Sequence, residues 1–264
     1  MTRRIDTGVE QLPAHVDEAG VLRVVLDNPT RHNSLSADML AGLQRVLRDA
    51  SDDDRVRAVL IRGRGERAFA SGADIGEQSQ RAASGTTNPD RGDYMARLQR
   101  CTKPVVAMIH GYCIGGGLMV AMAADIRIAA DDAVFGVPAA NLGVAYPLSA
   151  VHVLVDLVGR SWASDLCLTG ERIDAETAAT IGLVTRVHPK AELEDRTETL
   201  LDTLVAKAPL SAIASKASIL HAVSASREHS DDVVSLIDAV WRSNDAAEGM
   251  AAFFEKRAPN WLGR

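Results

Sequence analysis

The sequence predicts an α/β fold, and three observations predict it. Short β-branched runs alternate with stretches whose apolar residues recur near every 3.6 positions, the strand–helix alternation of a layered core. From about residue 147 onward the pattern turns almost wholly helical. Aromatic residues make up only 4% of the 264 residues, so the core must be aliphatic and alanine-rich. At 47% hydrophobic and 24% charged residues, the chain has the balance of a soluble globular protein. Its length suits one large domain, or a core with a smaller appendage.

The elements follow in order. "VLRVVLDNP" (21–29) alternates and is β-branched, a strand closed by Asn-Pro. "SADMLAGLQRVLRDAS" (36–51) has helical spacing behind Ser36, a suitable N-cap. "VRAVLIRGRG" (56–65), "KPVVAMIHG" (103–111) and "DIRIAA" (125–130) read as further strands, with helical patterns between them. The small, polar stretch 77–93 reads as a mobile loop. Helical segments then follow one another, "SAVHVLVDLVG", "ASDLCLTG", "DAETAATIG", "TLLDTLVAKA", "LSAIASKASILHAV" and "DDVVSLIDAVWRS", interrupted only by a short strand in "LVTRVHP" (183–189). A sheet-containing core over 1–190 and a helical region over 191–264 are therefore expected.

Charge and cysteine usage exclude several classes. A net charge of −6 opposes binding to nucleic acid or to an anionic membrane. It leaves room for a small anionic ligand held by local cations and helix N-termini. Cys101, Cys113 and Cys167 have no metal-like spacing and read as reduced thiols of a cytoplasmic protein. No signal peptide is expected at the N-terminus and no run is long enough to span a membrane. No clustered His or Cys suggests a metal site. GxGxxG, GxxxxGK[ST] and GxSxG patterns are absent, which argues against nucleotide loops and a serine-hydrolase elbow.

Two glycine-bearing turns stand out. The first is "RAFASGADIGEQ" (67–78), where a strand runs into Ser71-Gly72-Ala73-Asp74. The second is Gly115-Gly116-Gly117, ahead of an apolar helical run. Backbone N–H groups at such turns lack intrahelical partners. Two of them converging on one oxygen would form an oxyanion hole for an enolate or tetrahedral species. Taken singly, each turn is equally well read as a tight strand–helix connection.

The pair, together with other segments, resembles the crotonase superfamily of enoyl-CoA hydratases and isomerases. The similar segments are "NPTRHNSLS" (28–36), "FASGADI" (69–75), "KPVVAMIHGYCIGGGL" (103–118), "ADIRIAADDAVFGVP" (124–138), "NLGV" (141–144), "LTGERIDAETAATIGLVTRV" (168–187) and "FFEKRAP" (253–259). The resemblance implies a spiral of ββα repeats with a C-terminal helical trimerisation region, hence a homotrimer or dimer of trimers. It implies an acyl-CoA thioester substrate, with coenzyme A as part of that substrate and no separate cofactor. It maps the two oxyanion donors onto the N–H groups of Ala73 and Gly116. Gly72, Asp74 and Ile75 would lie along the CoA, with Arg31 near its nucleotide and Phe253 and Lys256 near its tail.

The same resemblance shows what is missing. Hydratases of the family carry one glutamate two residues after the Gly triplet and another in a "GxPE" segment; here those positions are Met119 and Ala139. Hydration needs a positioned acid–base pair, and neither residue can transfer a proton. The stretch 139–155 resembles the methylmalonyl-CoA decarboxylase branch through Tyr146 and His152, although that branch has His where this chain has Ala73 and Glu where it has Met119. Loss of CO₂ requires no proton abstraction, so decarboxylation has the best local support; double-bond isomerisation and thioester hydrolysis also fit, and decarboxylase- or isomerase-like chemistry is favoured over ordinary hydration. Tyr146 is either a hydroxyl donor or a wall residue. His152 reads as a core or interface residue, His110, Asp125 and Ser71 as structural, and Glu77 as either exposed or able to reach the pocket. Two further readings stay open: a divergent hydratase using other acids such as Glu77 or His152, and a non-catalytic acyl-CoA binding protein.

Overall fold

The computed structural model describes residues 2–73, 94–142, 144–223, 232, 235, 239 and 242–264. Seven strands form the larger sheet: β1 (Arg3–Ile5), β2 (Ala14–Val16), β3 (Val21–Leu26), β4 (Ala58–Gly63), β6 (Val105–Ile109), β8 (Ile126–Ala130) and β11 (Arg186–His188). Their order is β1-β2-β3-β4-β6-β8-β11. The β1–β2–β3 edge is antiparallel, and β3, β4, β6, β8 and β11 are parallel. A second sheet, β10-β9-β7-β5, is built from β5 (Ala68–Ala70), β7 (Tyr112–Ile114), β9 (Val134–Gly136) and β10 (Arg172–Asp174).

The connections explain the topology. After β4 the chain gives β5 to the smaller sheet and reaches helix α2 (Tyr94–Gln99); β6 and β7 are followed by α3 (Gly116–Ala123), and β8 and β9 by α4 (Leu148–Thr169). Each of these three ββα units thus places one strand in each sheet before its helix, a spiral of such repeats.

The larger sheet is apolar on both faces, as parallel sheets covered on both sides are. Along β4, Val59 and Ile61 join the main core with Leu43, Val46 and Leu47 of α1 (Ala37–Asp52). Ala58 and Leu60 face the other way, into a cluster with Leu193, Leu200 and Leu201 of α6 (Leu193–Val205). That helix begins just past residue 190 and lies on the sheet, where Glu198 pairs with Arg23 at 2.6 Å. Among the described residues, further helices are α5 (Ala175–Thr180), α7 (Pro209–Val223) and α8 (Asn244–Glu255).

Several expectations hold at residue level. Ser36 caps α1, its side chain accepting from Met39 N–H at 3.1 Å. The strand from 21 ends at Leu26, and Asn28-Pro29 lead into the turn Pro29–Arg31. The separate helical segments around 149–159 and 163–170 meet at Gly159, whose φ of +74° breaks α4. Strands β1, β2, β7, β9 and β10 are only three residues each, too short for a period of two to register. The polar stretch 77–93 lies outside the described residues, as does most of the expected helix at 231–243. Cys101 and Cys113 are buried and Cys167 is half-buried, all three as free thiols. Among the described residues, no helix is long and apolar enough to cross a membrane.

Candidate functional site

Parallel pairing brings the two turns together. β5 and β7 are parallel neighbours, with Ala70 opposite Cys113, so their chains leave the sheet at the same end. Ser71–Gly72–Ala73 follows β5, and Gly115 links β7 to α3. Gly115 adopts φ +55°, ψ −114°, a conformation open to glycine but not to residues with a Cβ. Its N–H donates to the Gly136 carbonyl at the end of β9 (2.9 Å). Gly117 permits close approach: a Cβ there would stand 2.2 Å from the Ala70 carbonyl oxygen.

The result is a pair of adjoining N–H groups. A Cβ built on Gly116 would lie 3.1 Å from the Ala73 nitrogen, and one on Gly72 would lie 3.7 Å from the Gly116 nitrogen. Gly116 opens α3, so its N–H has no intrahelical acceptor. Among the described residues, neither Ala73 N–H nor Gly116 N–H has a hydrogen-bond partner. The positive end of α3 adds to the potential at this point. Together the two groups can hold one oxygen that carries negative charge.

The segment 28–36 fixes the first turn. Leu35 N–H donates to Gly72 O (2.8 Å) and Ser71 N–H to His32 O (2.9 Å), while Ser71 Oγ donates to Arg31 O (3.1 Å). At its centre is Asn33, fully buried at φ +55°. Its Nδ2 donates to Ala68 O (2.8 Å) and Arg64 O (3.0 Å), and its Oδ1 accepts from Asn28 N–H (3.0 Å). Sequence reading quoted this segment and missed Asn33. The available signal was an asparagine, a residue that tolerates left-handed backbone, beside a turn.

The other expected residues divide. Arg31 is exposed at the end of the turn stitched to Ser71. Met119 is 8% exposed within α3 and Ala139 is half-buried before a short turn at Ala140–Leu142. Both belong to or pack on the main core, as does Tyr146. The Tyr146 hydroxyl donates to the Gly115 carbonyl at 3.0 Å. Burial, with Cys113 and Cys167 adding to it, pushes this phenol well above its ordinary value. It therefore remains a protonated donor, committed to a peptide carbonyl. Asp74, Ile75 and Glu77 lie outside the described residues. Phe253 falls within α8, and Lys256 follows it, exposed, at φ +54°. Among the described residues, no hydrogen bond or ion pair joins Lys256 to the Ala73–Gly116 pair.

The remaining candidates have other surroundings. His152 is exposed on α4 rather than lodged in a core. Asp125 accepts from Val105 N–H (2.7 Å) and pairs with Lys216 (2.7 Å), a structural role. Glu171, which the sequence places in a capping region before a helix, is exposed, and the cap of that helix is Asp174. His110 is buried, and among the described residues its Nε2 has no partner. Among the described residues, no group of three or more His, Cys, Asp or Glu could hold a metal ion.

Comparisons with known proteins identify the family and the fold. The sequence profile of the enoyl-CoA hydratase/isomerase family matches residues 17–264. A 2,3-dehydroadipyl-CoA hydratase of Escherichia coli is 32% identical over 248 residues, covering 92% of this chain and 96% of that protein. A carnitinyl-CoA dehydratase of the same species is 34% identical over 251 residues, covering 92% and 95%. Among solved structures, an enoyl-CoA hydratase/carnithine racemase from Magnetospirillum magneticum superposes with a TM-score of 0.89 at 29% identity, covering 97% of both chains. An enoyl-CoA hydratase from Bacillus anthracis gives 0.84 at 28% identity, covering 97% of this chain and 100% of that one. With a profile match over almost its whole length and these relatives, the chain belongs to the enoyl-CoA hydratase/isomerase family, the crotonase superfamily of enzymes acting on acyl-CoA thioesters.

Proposed function

We propose that the protein holds the oxygen of an acyl-CoA thioester between the N–H groups of Ala73 and Gly116 and stabilises an enolate formed without help from positions 119 and 139. One observation carries this reading: Gly116 abuts the Ala73 nitrogen, with a 3.1 Å approach for a Cβ, while Met119 and Ala139 are apolar. Each such donor is worth about 3–4 kcal/mol toward the transition state. Coenzyme A enters as part of the substrate. Arg31, Gly72, Asp74, Ile75, Phe253 and Lys256 are the residues proposed to lie along it.

Decarboxylation of a malonyl-type thioester makes the least demand on such a pocket. The Cα–carboxylate bond breaks, its electron pair passes into the enolate and CO₂ leaves. Water then returns a proton to Cα. Double-bond isomerisation shares the enolate but needs a proton carrier from elsewhere.

The relatives' names favour a second reading, hydration or dehydration. That chemistry needs an acid–base pair, and Glu77 and the exposed His152 are the proposed sources. The test is turnover of methylmalonyl-CoA, a β,γ-enoyl-CoA and crotonyl-CoA side by side. CO₂ release or isomerisation should exceed hydration. Rapid hydration of crotonyl-CoA overturns the reading, and binding of all three without turnover of any identifies an acyl-CoA binding protein.

A further inference from the structure

The carbonyl that Tyr146 holds belongs to the peptide group whose other end is the Gly116 N–H. A peptide unit is planar, so the Gly115 oxygen and the Gly116 hydrogen point in opposite directions along one rigid plate. Holding the oxygen aims the hydrogen. We infer that Tyr146 is a positioning residue for the oxyanion pair, acting through the Gly115–Gly116 peptide rather than by touching substrate. This rests on the reading of Ala73 and Gly116 as oxyanion donors.

Three features support it. First, the plate needs holding. Gly115 lies at φ +55°, ψ −114°, and glycines on both sides of the peptide leave no Cβ to resist its rotation. A counter-rotation of the dihedrals flanking it would turn the Gly116 N–H out of the site. Second, two donors converge on the Gly115 oxygen from different elements. Met119 N–H reaches it from within α3 at 2.9 Å, and the Tyr146 hydroxyl reaches it from the loop before α4 at 3.0 Å. The carbonyl thus accepts from two donors. A carbonyl that accepts more strongly makes its own N–H a better donor, since linked hydrogen bonds polarise one another. Third, the tyrosine is itself fixed. Its ring packs against the main core, and burial keeps its hydroxyl protonated, so the donor persists across the working pH range.

This assignment gives Tyr146 a job that fits its orientation better than proton delivery does. A hydroxyl already committed to a backbone oxygen is not free to protonate Cα. The apolar surroundings that would hinder it as an acid suit it as a fixed neutral donor.

The experiment is isotope-edited vibrational spectroscopy of butyryl-CoA carrying ¹³C at the thioester carbonyl, an unreactive saturated probe, bound to wild type and to Tyr146→Phe. Steady-state kinetics on whichever thioester turns over accompany it. In wild type the bound carbonyl stretch should shift to lower frequency. In Tyr146→Phe part of that shift should be lost, and kcat should fall about tenfold, the loss expected for one hydrogen bond, with KM within twofold. An equal shift in both proteins with equal kcat overturns the positioning role while leaving the oxyanion reading intact. Absence of any shift in wild type removes the oxyanion reading itself, and this inference with it. A parallel loss of affinity for butyryl-CoA and for free coenzyme A, with kcat unchanged, makes Tyr146 a wall residue and also overturns the role.

Should the Phe variant fail to fold, replacement of the three tyrosines by fluorotyrosine supplies the converse. A more acidic phenol should drive the carbonyl shift further down, and an unchanged shift overturns the inference.

Discussion

Replacing Gly117 by alanine should separate folding from function, because this residue is where α3 meets β5. The added Cβ would sit 2.2 Å from the Ala70 carbonyl oxygen and 2.8 Å from the Ala70 carbonyl carbon and Cβ. An ordinary C···O contact is about 3.3 Å, so the helix or the strand must retreat by about 1 Å. The clash is with backbone, so no side-chain rotation relieves it. Overpacking of this size costs about 1–3 kcal/mol, against a domain stability of about 5–15 kcal/mol, and the fold should survive. Function should not, because the displacement falls between the two donors. Gly116 is the neighbouring residue, and Ala70 is three residues before Ala73. A misplacement of about 1 Å can reduce turnover about 100-fold. The assay pairs urea unfolding followed by circular dichroism with turnover of the best thioester substrate. Gly20→Ala is the control: its Cβ would lie 2.7 Å from the Arg55 carbonyl oxygen at φ +87°, in the β2–β3 hairpin. It should lose comparable stability and keep its turnover. Wild-type turnover in Gly117→Ala, or equal losses in both variants, would refute the reasoning.

Asn33→Ala strips the buried Ala68 carbonyl and the part-buried Arg64 carbonyl of a donor; it should destabilise by about 1–3 kcal/mol and lower turnover by loosening the Ser71–Ala73 turn, measured by the same pair of assays. Lys216→Met removes the partner of Asp125, which lies 2.7 Å away and is itself 26% exposed; the cost should fall below the roughly 3–5 kcal/mol of a fully buried pair, with turnover preserved. His110 titrates below the ordinary imidazole value of 6.5, through burial first, then the charges of Arg62 and Lys190, with Asp132 opposing. The unfolded chain therefore binds the proton more readily, so stability is intact above pH 6.5 and falls as pH drops below it. Denaturation midpoints between pH 7.5 and 5 should show this fall, and His110→Gln should flatten it.

The parts of the fold legible in the sequence are those where one physical signal is long enough to repeat. Sixteen residues of α1 carry several turns of apolar spacing and a capping serine, and β4 presents an unbroken apolar run because both its faces are covered. The smaller sheet was mostly hidden. β7, β9 and β10 are three residues each and are specified by pairing with one another rather than by local pattern. That sheet is nevertheless what aligns the two turns. The site's framework was therefore visible as glycines at two places, while the reason they meet was not.

The same division runs through the site. Position and residue type told that Met119 and Ala139 cannot carry protons, and no structure alters that, since it follows from their chemistry. Direction was not legible. Tyr146 stood in the sequence as a hydroxyl near an acyl pocket, equally able to face a ligand or the protein. It faces the protein, and the atom it meets belongs to the peptide that presents a candidate donor. Asn33 repeats the pattern from the other side, tying down the strand that leads to Ala73 through the Ala68 carbonyl and the connection before it through the Arg64 carbonyl. In both cases a polar side chain acts on main chain rather than on substrate. That is the arrangement expected where charge is to be stabilised by backbone dipoles. Their strength in catalysis comes from being aimed beforehand, and glycine-rich turns cannot aim themselves. On the function proposed above, a site without carboxylates at 119 and 139 still serves chemistry that generates an enolate, provided the two N–H groups are held still, and Tyr146 and Asn33 are the residues proposed to do that holding.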